Sequence, residues 1–262
     1  GNNQSDVYTS ACNDDLNRAC TSMAEMKGDA RYVLSEISDG HVFVETKADY
    51  AKNMVTGFIK LNGMTVGAVA NCTEVYDAEG NKAEEFDSVL TGKGCEKAAD
   101  FVQFCDAFDI PVLSLTNITG FKACKCAERR LAKAMAKLTY AFANATVPKV
   151  NVIIGDAFGS ASVIMNSKSI GADLVYAWPE VKVGMMDAKL AAGIMYDGEP
   201  AAVIEKKAKE YDALQANVFS AAGRGYVDLV VEPEETRKYV VAAFEMLYTK
   251  RVDTTFKKHG TK

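Results

Sequence analysis

The sequence predicts an α/β fold: one domain in which helices cover a central sheet. Three observations carry this. From residue 96 onward, segments of helical spacing alternate with short apolar runs such as Lys149-Val-Asn-Val-Ile-Ile154. Those runs are almost continuously apolar, as strands buried on both faces are. Neither an internal repeat nor a Pro/Ser-rich linker divides the 262 residues, a length that one domain can reach.

The elements follow in order. Asn13-Asp-Asp15 caps an amphipathic run from Leu16 to Met26 that stops at Gly28, so residues 1–28 are expected to be a lead-in built on one helix. A short helix is expected from Asp29 to Ile37. The hydrophobic period then falls to two, which predicts strands at His41–Thr46, Val55–Leu61 and Met64–Ala70. Asn62-Gly63 joins the last two and is a strong hairpin signal. The polar stretch from Tyr76 to Gly94 predicts a mobile loop. Helices are expected at Glu96–Phe108, Arg129–Asn144, Ser160–Ile170, Asp187–Met195, Ala201–Ala222 and Glu234–Lys250. Strands are expected at Pro111–Leu115, Val150–Ile154 and Leu174–Ala177, with an extended piece at Tyr226–Val231.

Composition narrows the function classes. Thirty Lys+Arg against thirty-five Asp+Glu leave a net charge of −5, which argues against nucleic acid as a partner, since phosphate binding needs a basic face. The longest apolar runs fall far short of the ~20 residues of a membrane span. No signal peptide is visible in Gly1-Asn-Asn-Gln-Ser-Asp-Val7. A leading Gly without Met fits a cleavage scar, and so a piece of a longer chain. Seven scattered Cys in a chain able to build a large core fit reduced thiols and a cytoplasmic protein.

Several short motifs invite a chemical reading and are better explained structurally. Cys124-Lys-Cys126 lacks the second ligand pair that a zinc site needs, and His41 and His259 lie far from it in sequence, so no metal is expected. Thr91-Gly-Lys-Gly-Cys95 departs from P-loop spacing and reads as a loop entering a helix. The basic tail from Lys250 to Lys262 reads as solvated, with subunit contact as the alternative. With only two histidines, no Ser/His/Asp arrangement is defensible. Any chemistry here rests on backbone donors.

Gly155-Asp-Ala-Phe-Gly-Ser-Ala-Ser-Val-Ile-Met165 fits that requirement. A buried strand feeds a turn of small residues that opens a helix, so successive amides point outward together, as an oxyanion site demands. Small side chains also let a ligand approach the backbone. A tight turn needed only for packing would have the same pattern.

Val147-Pro-Lys-Val150, Phe158-Gly-Ser-Ala161, Met165-Asn-Ser-Lys168 and Tyr176-Ala-Trp-Pro179 together resemble the C-terminal half of the biotin-dependent acyl-CoA carboxyltransferases. Tyr50-Ala-Lys-Asn-Met-Val-Thr-Gly57, Gly67-Ala-Val-Ala-Asn71, Phe104-Cys-Asp-Ala-Phe-Asp-Ile-Pro111, Arg224-Gly-Tyr-Val-Asp228 and Lys257-Lys-His-Gly260 extend the likeness in family order. The resemblance implies a crotonase-type superhelix of ββα turns with outer helices, with residues 1–262 forming the carboxyltransferase C-terminal domain. It also implies a separate N-terminal CoA-binding domain, absent from this chain, and a hexamer in which that domain of one subunit faces the C-domain of another. The implied cofactor is biotin on a partner biotin carboxyl carrier protein, and the implied substrate is a short acyl-CoA.

Carried over residue by residue, the resemblance places the family's Gly-Gly-Ala turn at Gly159-Ser160-Ala161, with the Ser160 and Ala161 N–H groups holding the ureido oxygen of biotin. Val163 would face the acyl pocket, and Gly120, Phe121, Phe158, Trp178 and Asp187 would belong to the binding surroundings. The family's Asp-x-Pro-Gly-Phe appears as Asn117-Ile-Thr-Gly-Phe121, and the Gly-rich stretch after it becomes Lys122-Ala-Cys-Lys-Cys-Ala127, which puts biotin contact there in question. Its Met-Gly-Ala-Lys appears as Met186-Asp-Ala-Lys189, where Asp187 either changes the pocket's polarity or caps the next helix. A biotin-dependent decarboxylase, a free-standing crotonase-type hydratase or hydrolase, and an assembly domain that has lost its site are the competing readings. Self-association is expected from the Ala-rich helices at 129–144 and 201–222.

Overall fold

In a computed structural model, residues 12–123 and 128–254 are described. Residues 1–11, Cys124, Cys126 and His259 lie outside them. The sheet begins with β1 (Val44–Thr46), β2 (Met54–Leu61) and β3 (Met64–Asn71), paired antiparallel in turn. Asn62 and Gly63 link β2 to β3 with φ of 49° and 76°, the positive pair that a tight hairpin demands. β7 (Val112–Ile118), β9 (Lys149–Phe158), β10 (Leu174–Ala177) and β12 (Leu229–Val230) then add in parallel, giving the order β1-β2-β3-β7-β9-β10-β12. β11 (Val183–Gly184) pairs with the far end of β9.

Helices cover both faces. α1 (Ala30–Ile37) and α8 (Thr236–Met246) supply Leu34, Ile37, Val240 and Phe244 to one core, against Leu113, Leu115, Val150 and Val152 of the sheet. α2 (Gly92–Ala107) and α3 (Glu128–Asn144) build the other, where Val102, Leu138 and Phe142 meet Val112 and Ile118. The expected α/β arrangement with outer helices is present.

Local expectations fail where tertiary hydrogen bonds replace local ones. The lead-in helix over residues 16–26 does not form; that segment is a run of turns with Ser22 at φ 57°. Alongside local turn bonds, distant groups hold it: the Cys20 N–H donates to Glu234 O, and just before it Arg237 Nε donates to Asp15 O at 3.1 Å. The expected loop at Tyr76–Gly94 contains structure, with β4 (Glu74–Tyr76) and β5 (Lys82–Glu85) paired antiparallel. Beyond them, β6 (Val89–Leu90) runs parallel to β8 (Gly120–Phe121). The helix expected at Ser160–Ile170 is only α4 (Gly159–Val163) and a later single turn at Lys168–Ile170. α5 (Ala188–Met195) forms as expected. The long helix at 201–222 divides into α6 (Ala201–Tyr211), a wider turn and α7 (Val218–Gly223), broken where Asn217 turns extended and caps α7 through Ser220 N.

Candidate active site

The site forms where β9 ends. Thr116 pairs with Ile153 and Ile118 with Ala157, so three residues of β9, Ile154 to Asp156, pass a single residue of β7, Asn117. This bulge bends β9 toward the following turn. Asn117 clamps it: Asn117 Oδ1 accepts from the Asp156 N–H at 3.1 Å, and Asn117 N–H donates to Asn71 Oδ1 at 2.8 Å. Gly155 is required there, because a Cβ would stand 2.2 Å from Asn117 Oδ1.

The chain then enters α4 through Gly159 at φ 65°, a conformation that favours glycine. Ser160 and Ala161 occupy the first helical turn, where N–H groups have no intrahelical acceptor. No turn, loop or capping carbonyl among the described residues accepts from them. Ser160 is exposed, and no hydrogen bond engages its hydroxyl among the described residues. Ala161 is buried with Ile164 and Met165 in the second core, and Ser162 Oγ donates to Gly159 O at 2.9 Å, tightening the turn. Among the described residues, the arrangement offers backbone donors and no side-chain nucleophile–base pair.

Beneath the turn lies a cavity of about 250 Å³. Gly159, Ser162 and Val163 close one side, Ile153 and Val175 form apolar walls, and Lys168 and Arg224 bring positive charge. Lys168 Nζ donates to Asp228 Oδ2 at 2.8 Å, while the Arg224 guanidinium lies 5.6 Å from the centre of the Tyr226 ring.

The structure brings Phe158, Gly159, Ser160, Ala161 and Val163 together on one turn. Gly120 and Phe121 of β8 pack beside α4, with Phe121 half-buried against the second core. Asp187 lies two residues beyond Met185, which lines the cavity, and its Oδ1 accepts from the Lys189 and Leu190 N–H groups at 3.0 and 3.1 Å. It is therefore the cap of α5. Trp178 is not brought to the turn. It is buried, its indole N–H donates to Thr236 Oγ1 at 2.9 Å, and it borders a different cavity with Glu25 and Lys27. It is a packing residue between β10 and α8.

Sequence reasoning passed over Asn117 as a clamp and Asn151 as a cavity residue. Asn151 had a signal: a lone polar residue inside an apolar strand. Asp156 was missed as well; burial pushes its carboxyl above the ordinary carboxylate value, with Lys27 and Lys182 opposing the shift. The five described cysteines are free thiols, and burial pushes those of Cys95 and Cys105 up to about 12. No group of three or more potential metal ligands occurs among the described residues, and no described helix is long and apolar enough to cross a membrane.

The family model for the carboxyl transferase domain matches residues 2–261. The propionyl-CoA carboxylase beta chain of Roseobacter denitrificans is 41% identical over 235 residues, covering 88% of this chain and 44% of that protein. The methylmalonyl-CoA decarboxylase subunit alpha of Propionigenium modestum is 36% identical over 273 residues, covering 99% of this chain and 51% of that one. A solved transcarboxylase 12S structure, described as a hexamer assembly with hydrolyzed methylmalonyl-coenzyme A bound, matches with a TM-score of 0.85 at 35% identity, over 95% of this chain and 48% of that one. The crotonase-type expectation for the fold agrees with that match. The chain spans about half the length of the relatives it matches.

Proposed function

The chain belongs to the carboxyl transferase domain family, and from that membership we propose that it is the carboxybiotin-side half of a biotin-dependent acyl-CoA carboxyltransferase. The observation that carries the reading is the Gly159-Ser160-Ala161 turn, whose first-turn amides lack carbonyl partners at a bulged strand end beside a cavity. These residues fit the ureido group of biotin. Two N–H donors face one acceptor oxygen, and Gly159 leaves room for close approach. When bound, carboxybiotin supplies the carboxyl group that is transferred.

The chain's own part is positioning and dipole stabilisation. Ser160 and Ala161 N–H groups hold the developing negative oxygen. Asn117 holds the β9 bulge that aims them. Phe158, Gly120 and Phe121 border the turn, and Val163 faces the acyl side. Preorganised donors of this kind each contribute about 3 kcal/mol of transition-state stabilisation, which suits a site without histidine. A CoA-binding half, a biotin carboxyl carrier protein and further copies of the chain complete the assembly, in the cytoplasm. The exposed Leu190, Ile194 and Met195 of α5 and Phe219 of α7 support contact with such partners.

The test loads the biotin carrier with labelled carboxyl and adds the intact protein with propionyl-CoA. Label is expected in methylmalonyl-CoA. An intact protein with neither biotin-dependent carboxyl transfer nor decarboxylation overturns the proposal. Transfer running only from acyl-CoA to biotin selects the decarboxylase reading, which the likeness to the Propionigenium subunit supports.

A further inference from the structure

At the end of β3 a side chain takes over from the backbone ladder. β3 and β7 pair in parallel from Gly67 opposite Val112 to Ala70 opposite Leu115. Asn71, the next residue, keeps its backbone opposite Met54 of β2 and sends its side chain across to β7. It is only 3% exposed. Its Oδ1 accepts from the Asn117 N–H at 2.8 Å, and its Nδ2 donates to Asn117 O. A carboxamide carries acceptor and donor in one plane, so one side chain holds both main-chain groups of one residue. Ser88 Oγ donates to the same Asn117 O.

A bulge leaves backbone groups without ladder partners, and buried ones must find others. Asn71 meets that need at Asn117, but the connection continues. Asn117 Oδ1 takes the Asp156 N–H in the β9 bulge and stands against Gly155 with no room for a Cβ between them. Packed atoms at such a contact cannot interpenetrate, so a shift of Asn117 displaces β9. Asp156 lies three residues before Gly159, whose φ of 65° turns the chain into α4. Asn71 does not line the cavity beside that turn. Its effect on the site therefore passes through Asn117.

We propose that Asn71 is a positioning residue: by holding the Asn117 N–H and C=O together, it fixes the β9 bulge and, through it, the direction of the Ser160 and Ala161 N–H groups. The relay runs from the end of β3 through Asn71, Asn117 and the bulge to the turn. For the reaction those amides serve, it rests on the carboxyltransferase reading. The relay itself is a property of the fold and is measured without turnover.

Two variants test it. Asn71→Asp keeps the size and the acceptor but sets a carboxylate oxygen against Asn117 O, and Asn71→Ser is too short to hold both groups. In the full chain, hydrogen exchange at the Asp156 N–H is expected to become about tenfold faster or more in each. Unaltered exchange in folded variants overturns the proposal, whatever their activity. In the intact protein, kcat for carboxyl transfer is expected to fall about tenfold or more, with KM for the carboxylated carrier within about twofold, as when an interaction made only in the transition state is lost. Val240→Ala, which removes buried methyl groups from α8, is expected to lower the melting temperature and change neither readout. Faster exchange with unaltered kcat makes Asn71 a structural residue only and overturns the proposal. Faster exchange in the variants of a protein whose wild type transfers no carboxyl group supports the relay and sinks the carboxyltransferase reading instead.

Discussion

At position 160 the proposed chemistry rests on the backbone N–H and not on the side chain. The hydroxyl of Ser160 meets no base or acceptor among the described residues, whereas its N–H stands free in the first turn of α4. Ser160→Gly in the intact protein is therefore expected to keep most carboxyl-transfer activity, because the donor remains. Ala161→Pro deletes a donor and is expected to lower kcat by about two orders of magnitude or more. Proline is tolerated in a first helical turn, so the fold should survive, which far-ultraviolet circular dichroism would check. Loss of turnover in folded Ser160→Gly would instead make the hydroxyl a nucleophile or donor. The turn was legible in the sequence because small residues followed an apolar strand. The Asn117 clamp was not, since its partners, Asn71 and the Asp156 N–H, are 46 and 39 residues away.

Among the elements, α5 shows a departure from the family pattern acting locally. Asp187 stands where the resemblance expects Gly, and its carboxylate accepts from two first-turn N–H groups. Asp187→Ala is expected to cost about 1 kcal/mol, read as a lower denaturant midpoint, with Asp187→Ser restoring most of it. A change in acyl-CoA preference without a change in stability would instead make Asp187 a pocket residue. Capping is short-range, so sequence reasoning could offer it. Helix length is another matter. The run from Ala201 to Ala222 has helical spacing throughout, yet Asn217 at φ −70° and ψ 152° leaves the helix and caps α7. The bridge from Lys182 to Asn217 pins that break, a tertiary contact that no periodicity records.

Across the whole molecule, Arg237 ties the ends of the described chain together. It is fully buried on α8, and it donates to Ile37 O at 2.6 Å and to Asp39 Oδ1 at 2.7 Å. Asp14 completes this cluster; the Arg18 hydrogen bond, with help from Gly40 and Arg237, lowers its carboxyl to about 2 from the ordinary 3.8. The unfolded chain takes up that proton first as pH falls. Asp14 therefore contributes its stabilisation in full above about pH 4 and loses it as pH falls to about 2. Melting temperature is expected to drop across that window, and Asp14→Asn should remove part of the drop. An acid-unfolding profile unaltered by Asp14→Asn would show that the cluster does not hold the N-terminal segment.

The sequence alone determined the α/β class, the hairpin at Asn62-Gly63, the strand-to-helix turn at Gly159 and the family. Each is set by local spacing or by ordered blocks of residues, and neither depends on distant partners. Tertiary structure alone decided that residues 16–26 form turns, that Tyr76–Gly94 contains strands, that Trp178 packs under Thr236, and that Asn151 lines a cavity. In each case the deciding hydrogen bond or cavity joins residues far apart in the chain. Their closeness exists only after the sheet has assembled.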